Sequence, residues 1–208
     1  MKRYSGHQEA WGDFVDVKVN AADLLTAEVS KKKPGRVWIS GVCDPYQPLE
    51  SKYRLTRGCL EILVEKQWPM TVQTRSPLVV RDVDILREAK DLEVGSSITT
   101  ADERMRKLFE PAAPPIVKRV NALEDLHRAG IRTFAMIAPM LPGAEDLPDP
   151  LMGKVDYIRV DRLNYGYSNW VYNKYHLEEK QSEAFFRETG RKIAQICQEL
   201  EIDCRSLI

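Results

Sequence analysis

With 208 residues, the chain is long enough for one sizeable hydrophobic core and short for two. Apolar residues make up 43% and charged residues 30%, which is typical of a folded globular protein and excludes a disordered or membrane-embedded chain. The 31 basic and 31 acidic residues cancel, so no global charge attracts the protein to nucleic acid. No apolar run approaches the roughly 20 residues of a membrane span, and no signal-peptide core follows Met1. The sequence therefore predicts a cytoplasmic protein.

The first predicted elements are an extended segment, a helix and a strand. Residues 14–19 alternate apolar and polar side chains, which indicates an extended segment. Asn20 is a candidate N-cap for a helix that ends at the lysine-rich turn 31–35. The apolar, β-branched run 37–42 predicts a strand buried on both faces, as in a parallel sheet. An Asp-Pro pair ends this strand, because proline lacks the N–H group that a strand donates.

A rhythm of strands and helices follows as far as residue 201. The predicted strands cover 37–42, 70–74, 92–98, 131–137 and 155–160. The predicted helices cover about 53–66, 80–90, 102–109, 116–129 and 181–201, with Thr100 and Glu103 as a capping box before the third. Strands separated by helices in this way predict a parallel sheet with right-handed crossovers.

Both an open doubly wound sheet and a partial TIM-like (β/α) barrel fit this rhythm. Neither a G-x-G-x-x-G nor a Walker A motif follows a strand, which counts against a nucleotide-binding doubly wound fold. Polar or proline-containing turns follow every strand at the same end, which favours a barrel with a polar rim. We expect one domain over residues 1–208, with its core at about 14–164, an aromatic loop at 165–175 and a C-terminal helix.

The turn after the first strand carries a family signature. Residues 41–57, GVCDPYQPLESKYRLTR, are very similar to the TDPYQPxExxYxLTR pattern of radical SAM proteins named DNA repair photolyases, relatives of spore photoproduct lyase. Further matches follow in the family's order: TRS at 74–76 with RD at 81–82, SITT at 97–100, LFEPAAP at 108–114, APMLPG at 138–143 and VDRLN at 160–164. The resemblance covers residues 1 to about 175 and implies a partial (β/α)6 barrel.

The resemblance implies two cofactors, S-adenosylmethionine (SAM) and a [4Fe–4S] cluster held by a C-x-x-x-C-x-x-C motif. That motif is absent from this sequence and the spacing of Cys43 and Cys59 does not replace it, so no metal ligands are predicted. Residues 1–7 resemble the segment that follows the third cysteine in the family, so we expect a chain that begins after the first strand and cluster loop. The sheet edge left open in this way predicts a homodimer or poor solubility.

Strand-end position and resemblance together assign candidate site residues. The candidates for SAM binding are Ser40, Gly41, Val42, Asp44, Ser97 and Thr99. The candidates for substrate binding are Arg75, Ser76, Asp161, Arg162, Asn164 and Tyr165, and the candidate catalytic side chains are Cys43 and Tyr46. Structural roles stay open beside these: Gly41 as a turn residue, Asp44 as a helix cap, Cys43 as a small filler, and Asp161 with Arg162 as an ion pair.

Two functions of different classes follow. One is a SAM-dependent radical enzyme of the lyase type, and the family name suggests damaged DNA as its substrate. The aromatic loop 165–175 fits base stacking in that case, or a lid packed on the barrel mouth. The other function is that of a non-catalytic remnant without a cluster, serving as a binding or structural domain.

Overall fold

Six parallel strands that neighbour each other in chain order form the sheet. The computed structural model describes residues 6–9, 12–39, 41–162 and 166–206, so the predicted site residues Ser40, Asn164 and Tyr165 lie outside the described residues. The strands are β1 Val37–Ile39, β2 Met70–Thr74, β3 Leu92–Ser97, β4 Arg132–Ile137, β5 Tyr157–Val160 and β6 Asp203–Ser206. Each pair is joined through helical segments, which is the arrangement of a TIM-like barrel. The prediction of an α/β fold with a parallel sheet is confirmed.

Helices and short 3-10 turns connect the strands. The α-helices are α1 Ala21–Val29, α2 Glu50–Tyr53, α3 Leu55–Glu65, α4 Val83–Leu86, α5 Glu103–Phe109, α6 Ile116–Arg128, α7 Pro148–Leu151, α8 Asn169–Lys174 and α9 Glu183–Glu199. The 3-10 turns are Pro77–Asp82, Ala144–Asp146, Gly166–Ser168 and Glu178–Gln181. Over the described ranges, none of the helices combines the length and apolar surface that a membrane span requires.

The first strand is shorter and more exposed than predicted. The sequence predicts a strand over 37–42 that is buried on both faces, but β1 ends at Ile39. Within the described sheet β1 pairs with β2 alone, and the Trp38 side chain is 44% exposed. An edge strand has a neighbour on one side only, so apolar composition did not guarantee burial here.

The sequence does not predict β6, and it misplaces two helical features. The polar segment DCRS pairs with β5, so the sheet continues beyond the predicted core boundary at 164. The predicted helix at 80–90 is a 3-10 turn followed by the single turn of α4. Asp102, not a Thr100–Glu103 box, caps α5 by accepting a hydrogen bond from the Arg104 amide at 2.6 Å.

The two faces of the sheet differ in chemistry, because successive residues of a strand point to opposite faces. The face toward the helices is apolar and buried, and it includes Met70, Val72, Val94, Ile98, Ala135, Ile137, Ile158 and Val160. By strand register, the opposite face carries Trp38, Thr71, Gln73, Glu93, Gly95, Ser97, Phe134, Met136, Tyr157 and Arg159. Polar and aromatic side chains therefore share this second face.

This second face is the inner face of a strongly curved sheet. Neighbouring strands lie about 4.8 Å apart, so β1 and β5 would be separated by about 19 Å in a flat sheet. The guanidinium carbon of Arg159 on β5 nevertheless lies 6.0 Å from the ring centroid of Trp38 on β1. The sheet therefore curls until these two strands face each other across the interior, as they do in a barrel.

Gly95 makes room for an aromatic ring inside the barrel. A Cβ atom at this position would lie 2.2 Å from Cζ of Phe134. The Phe134 ring stacks on Tyr157 with 5.2 Å between centroids, and the Tyr157 hydroxyl donates to Glu93 at 2.7 Å. These side chains fill the lower part of the barrel interior. Open space remains above them, at the carboxyl ends of the strands.

Candidate functional site

An open cavity of about 370 Å³ lies at the carboxyl ends of the first three strands, within the size range of small-molecule sites. We call it the rim cavity, and it is lined by Trp38, Gly41, Val42, Cys43, Asp44, Gln73, Thr74, Arg75 and Ser97. The sequence predicts site residues at 41–44, 75 and 97 of this set. It does not predict Trp38, Gln73 or Thr74.

Asp44 is held by the end of the neighbouring strand. Its Oδ1 accepts hydrogen bonds from the Thr74 hydroxyl at 2.5 Å and from the Tyr46 amide at 2.8 Å. Its Oδ2 accepts a hydrogen bond from the Arg75 amide at 2.7 Å. The carboxylate thus ties the turn after β1 to the end of β2. Since a carboxylate has about four lone-pair sites, it can accept one more donor.

Arg75 is anchored at one nitrogen of its guanidinium group. Its Nε donates to Glu110 Oε1 at 2.8 Å, while Glu110 Oε2 accepts from the buried Arg119 at 2.9 Å. Burial raises the pKa of Glu110, but the charges of both arginines outweigh it and hold that pKa below its usual value. The Arg75 side chain is 41% exposed, and its Nη1 and Nη2 have no hydrogen-bond partner among the described residues. Its outer donors therefore face solvent.

Two hydroxyl residues at the end of β3 have different surroundings. Ser97 Oγ accepts a hydrogen bond from Gln73 Nε2 at 2.8 Å, and both residues line the rim cavity. Thr99 is buried, is not part of the lining, and its Oγ1 has no partner within the described part of the chain. Of these two predicted SAM-binding residues, the structure brings Ser97 alone to the rim cavity.

Gly41 leaves open space in the wall of the rim cavity. A Cβ atom built at this position would have no described neighbour within 4 Å. Its backbone is also outside the left-handed region, so neither turn geometry nor packing requires glycine here. The remaining physical reason for a glycine at this position is that a ligand lies close to the backbone.

The candidate catalytic residue Tyr46 faces the core instead of the cavity. Its side chain is almost fully buried, and its hydroxyl donates to Asp82 at 3.0 Å. Burial and the negative charge of Asp82 raise the pKa of Tyr46, so the hydroxyl stays protonated. Cys43 behaves differently, because it is an exposed thiol on the cavity wall.

Glu50, in the middle of the signature stretch, supports the start of α3. Its carboxylate accepts hydrogen bonds from the Thr56 amide at 3.0 Å and the Arg57 amide at 3.3 Å, at the start of α3. It also pairs with Arg81 at 2.9 Å. The signature therefore divides into a cavity wall at 41–44 and a structural part from Tyr46 to Glu50.

Three predicted substrate residues lie away from the cavity lining. Ser76 Oγ accepts a hydrogen bond from the Leu78 amide at 3.3 Å and caps the first 3-10 turn. The Arg162 guanidinium pairs with Glu183 of α9, not with Asp161. Asp161 instead accepts a hydrogen bond from the Arg162 amide at 2.7 Å. The contacts of Ser76 and Asp161 are local, and that of Arg162 joins the end of β5 to α9.

Comparison of sequences gives relatives that are longer than this chain. No protein-family model matches the chain. A Methanocaldococcus jannaschii protein described as uncharacterised is 35% identical over 137 residues, which make up 66% of this chain and 51% of that protein. A radical SAM Nα-GlyT isomerase of Pseudomonas phage M6 is 25% identical over 131 residues, 62% of this chain and 27% of that protein. The chain thus spans about half of the first relative's length, and less of the second's.

Comparison of structures identifies the fold. A spore photoproduct lyase variant with a dinucleoside spore photoproduct superposes with a TM-score of 0.70 at 13% identity, covering 91% of this chain and 67% of that one. The fold is that of spore photoproduct lyase. SuiB of Streptococcus suis bound to SAM gives a TM-score of 0.58 at 14% identity, covering 93% of this chain and 42% of SuiB. The prediction of a partial TIM-like α/β barrel is therefore confirmed for the fold.

On this spore photoproduct lyase fold, the rim cavity fits the amino-acid end of SAM. That end carries an ammonium and a carboxylate, and both the Asp44 carboxylate and Arg75, whose outer guanidinium donors face solvent, line the cavity. Gly41 adds open space to the same wall. Opposite charges in one cavity complement a zwitterionic ligand.

A [4Fe–4S] cluster does not fit the cysteines of this chain. Cys43 is on the cavity wall, Cys59 on α3, Cys197 on α9 and Cys204 on β6. Among the residues that the structure describes, no group of three His, Cys, Asp or Glu side chains is placed to hold a metal ion. We therefore derive no chemical step through a cluster.

The supporting residues of the site escape prediction from sequence for different reasons. Gln73 and Thr71 are two positions apart on β2, so their side chains lie on the same face of the sheet. This period-two pattern is the signal that could have predicted Gln73 on the inner face. Glu110 and Arg119 give no such signal, since their contacts join the site across 35 and 22 residues of sequence.

Proposed function

We propose that this chain is a SAM-binding barrel of the radical SAM, spore photoproduct lyase type, which binds SAM in the rim cavity and whose own cysteines do not hold the cluster that radical chemistry requires. The observation that carries the proposal is the rim cavity itself, at the carboxyl ends of parallel strands, with Asp44, Arg75 and the open space at Gly41 in its wall. Ligands of parallel α/β barrels bind at this end of the strands. The SAM complex of SuiB, which shares the fold, supports the same ligand.

Each wall residue has a role in this proposal. The outer N–H groups of Arg75 bind the SAM carboxylate, because a guanidinium presents two parallel donors to a carboxylate. Backbone carbonyl groups at 41–43 accept from the ammonium group, and Asp44 favours the positive charge nearby. Ser97 and Gln73, which hydrogen-bond each other on the cavity wall, contact the ribose hydroxyls in this proposal. In radical SAM enzymes, one electron from a reduced [4Fe–4S] cluster would cleave SAM into methionine and a 5′-deoxyadenosyl radical, and this radical would abstract hydrogen from the substrate.

We propose a nucleic acid as the substrate class. The related fold was solved with a dinucleoside photoproduct, which supports this choice. The α8 region adds exposed aromatic side chains, with Tyr167 at 85% and Trp170 at 62% exposure. Such rings can stack on unpaired bases.

Calorimetric titration with SAM tests the proposal. We expect Gly41→Val to weaken SAM binding at least about tenfold, or about 1.4 kcal/mol, because the added methyl groups enter the space that SAM takes. Gly35→Val is the matched control, since a Cβ at Gly35 also meets no described neighbour within 4 Å and lies outside the rim cavity. Equal SAM affinity of the Gly41→Val variant and the wild type would contradict the proposal.

A catalytic enzyme and a non-catalytic SAM-binding domain differ in their iron content. We propose to incubate the 208-residue chain anaerobically with iron and sulfide, desalt it, and record iron content and EPR spectra. Since its sequence holds no C-x-x-x-C-x-x-C motif, we expect SAM binding without a stable cluster. A [4Fe–4S] signal would contradict this expectation and favour the catalytic enzyme.

We also propose that the outer side of β1 joins two copies of the chain. This edge leaves backbone groups without a strand partner in the described sheet, and Val42 beside it is 74% exposed. Light scattering coupled to size exclusion should give the mass of a dimer. A monomer mass at high protein concentration would overturn this proposal.

A further inference from the structure

Arg159 lies on the inner face of the barrel, at the level of the rim cavity. In the strand register it is opposite Met136, which is opposite Ser97 of the cavity lining. Its guanidinium carbon lies 5.4 to 6.0 Å from three ring centroids, those of Tyr157, Phe134 and Trp38. This partly buried cation therefore sits within an aromatic surface.

Arg159 forms no ion pair with a carboxylate of the described residues, although Glu93 is near enough to interact with its charge: burial raises the Glu93 pKa, but hydrogen bonds from Tyr157 and Thr71 and the charge of Arg159 hold it below its usual value. Glu93 on the same face uses one oxygen for the Tyr157 hydroxyl at 2.7 Å and the other for the Thr71 hydroxyl at 3.0 Å. The neighbouring cation in register, Arg205, is itself paired with Asp203 at 2.8 Å. Among the described residues, Arg159 has neither a hydrogen-bond nor an ion-pair partner, although a guanidinium carries five N–H donors.

A partly desolvated guanidinium whose N–H donors have no acceptor is unfavourable until an anion binds them. The aromatic rings interact favourably with the charge of Arg159. They do not accept hydrogen bonds from its N–H groups, as an oxyanion does. The ligand of this inner surface should therefore carry a phosphate or carboxylate group. A guanidinium binds either of these groups through two parallel hydrogen bonds.

We infer that Arg159 is a specificity-determining residue that binds the phosphodiester group between two nucleosides of the substrate. The inference rests on the proposed function for the location of the substrate inside the barrel. Trp38 favours a phosphodiester over a peptide carboxylate, because its ring is 44% exposed, lines the rim cavity and lies beside the Arg159 guanidinium. A base attached to the bound phosphate can stack on such a ring.

The test compares a dinucleoside monophosphate with its methylphosphonate analogue, in which a methyl group replaces the charged oxygen. We expect wild-type protein to bind the charged ligand at least about tenfold more tightly. Arg159→Gln should bind both ligands with equal affinity. Arg128→Gln is the matched control, because it also removes one arginine charge, from a side chain that is 73% exposed on α6.

The outcomes separate this inference from the proposed function. Equal wild-type affinity for the two ligands would overturn the role of Arg159, and so would discrimination retained in Arg159→Gln. Binding of an acidic peptide in place of the dinucleoside would overturn the substrate class. SAM titration of the wild type and of Arg128→Gln tests the proposed function alone, since Arg128 lies on α6 outside the lining of the rim cavity and its substitution should keep wild-type SAM affinity. If Arg159→Gln fails to fold, the wild-type ratio between the two ligands still decides the inference.

Discussion

The inside of the barrel has two regions that use the same kinds of side chain differently. In the barrel floor, formed by Thr71, Glu93, Phe134 and Tyr157, the carboxylate and the rings already have protein partners. In the rim cavity, the outer donors of Arg75 and the space beside Gly41 are left for something else. The floor therefore serves the stability of the barrel, and the rim is where a ligand can gain binding energy.

The largest expected effect concerns Glu110, which supports the rim. We expect Glu110→Gln to lower the free energy of unfolding by about 3 kcal/mol at neutral pH, because the buried Arg119 loses its charged partner. The same change should weaken SAM binding, since Arg75 loses its anchor. Chemical denaturation and SAM titration measure the two effects. A stable variant with wild-type SAM affinity would show that the rim does not depend on this carboxylate.

The Glu110 effect should also depend on pH. The pKa of Glu110 is lower in the folded than in the unfolded chain, so its stabilising contribution is complete above the ordinary glutamate pKa of 4.5. The contribution disappears as the pH falls through the lower folded value. The difference in unfolding free energy between wild type and Glu110→Gln should therefore be constant near neutral pH and shrink in acid. A difference that grows in acid would contradict this assignment.

A smaller loss should follow from filling the floor at Gly95. Gly95→Ala places a methyl group against the Phe134 ring and should cost about 2 kcal/mol of stability through overpacking. Adding Phe134→Leu should recover part of this loss, because leucine lacks the ring atoms that collide. Thermal and chemical unfolding of the single and double variants measure these two changes in stability. Full stability of Gly95→Ala alone would show that the floor is loosely packed.

The smallest expected change comes from the floor hydroxyl. Tyr157→Phe leaves one oxygen of Glu93 without its hydrogen bond and should cost about 1 kcal/mol. SAM affinity should stay at the wild-type value, because Tyr157 lies outside the rim cavity. A loss of SAM binding at unchanged stability would reverse the roles assigned to floor and rim.

The central strands could be predicted from sequence, whereas the two sheet edges could be predicted only in part. The segments that form β2 to β5 alternate with helices, and their apolar residues recur at every second position on the face toward the helices. The sequence also predicts β1, but as a longer strand that is buried on both faces. The edge strand β6 is four residues of polar sequence that pair with β5 alone in the described sheet. Pairing with β5 makes this segment a strand, and its polar sequence contains no local pattern that predicts one.

The candidate site could be predicted as far as chain position determines it. Gly41, Asp44 and Ser97 follow strands, and the strand order brings them to one end of the barrel. The direction of the Tyr46 side chain is not fixed by position, because it depends on the distant acceptor Asp82. The same holds for Arg119, whose partners become neighbours only in the folded chain.

Substitutions at Gly41 can measure the free space in the rim cavity. Because its backbone tolerates any side chain and no described atom lies within 4 Å of a Cβ placed there, volume can be added at this position without disturbing the fold. Alanine, valine and leucine in turn would probe the clearance between the wall and a bound molecule in steps of one or two carbons. A thiol introduced at the same position would carry a spectroscopic label to the cavity wall.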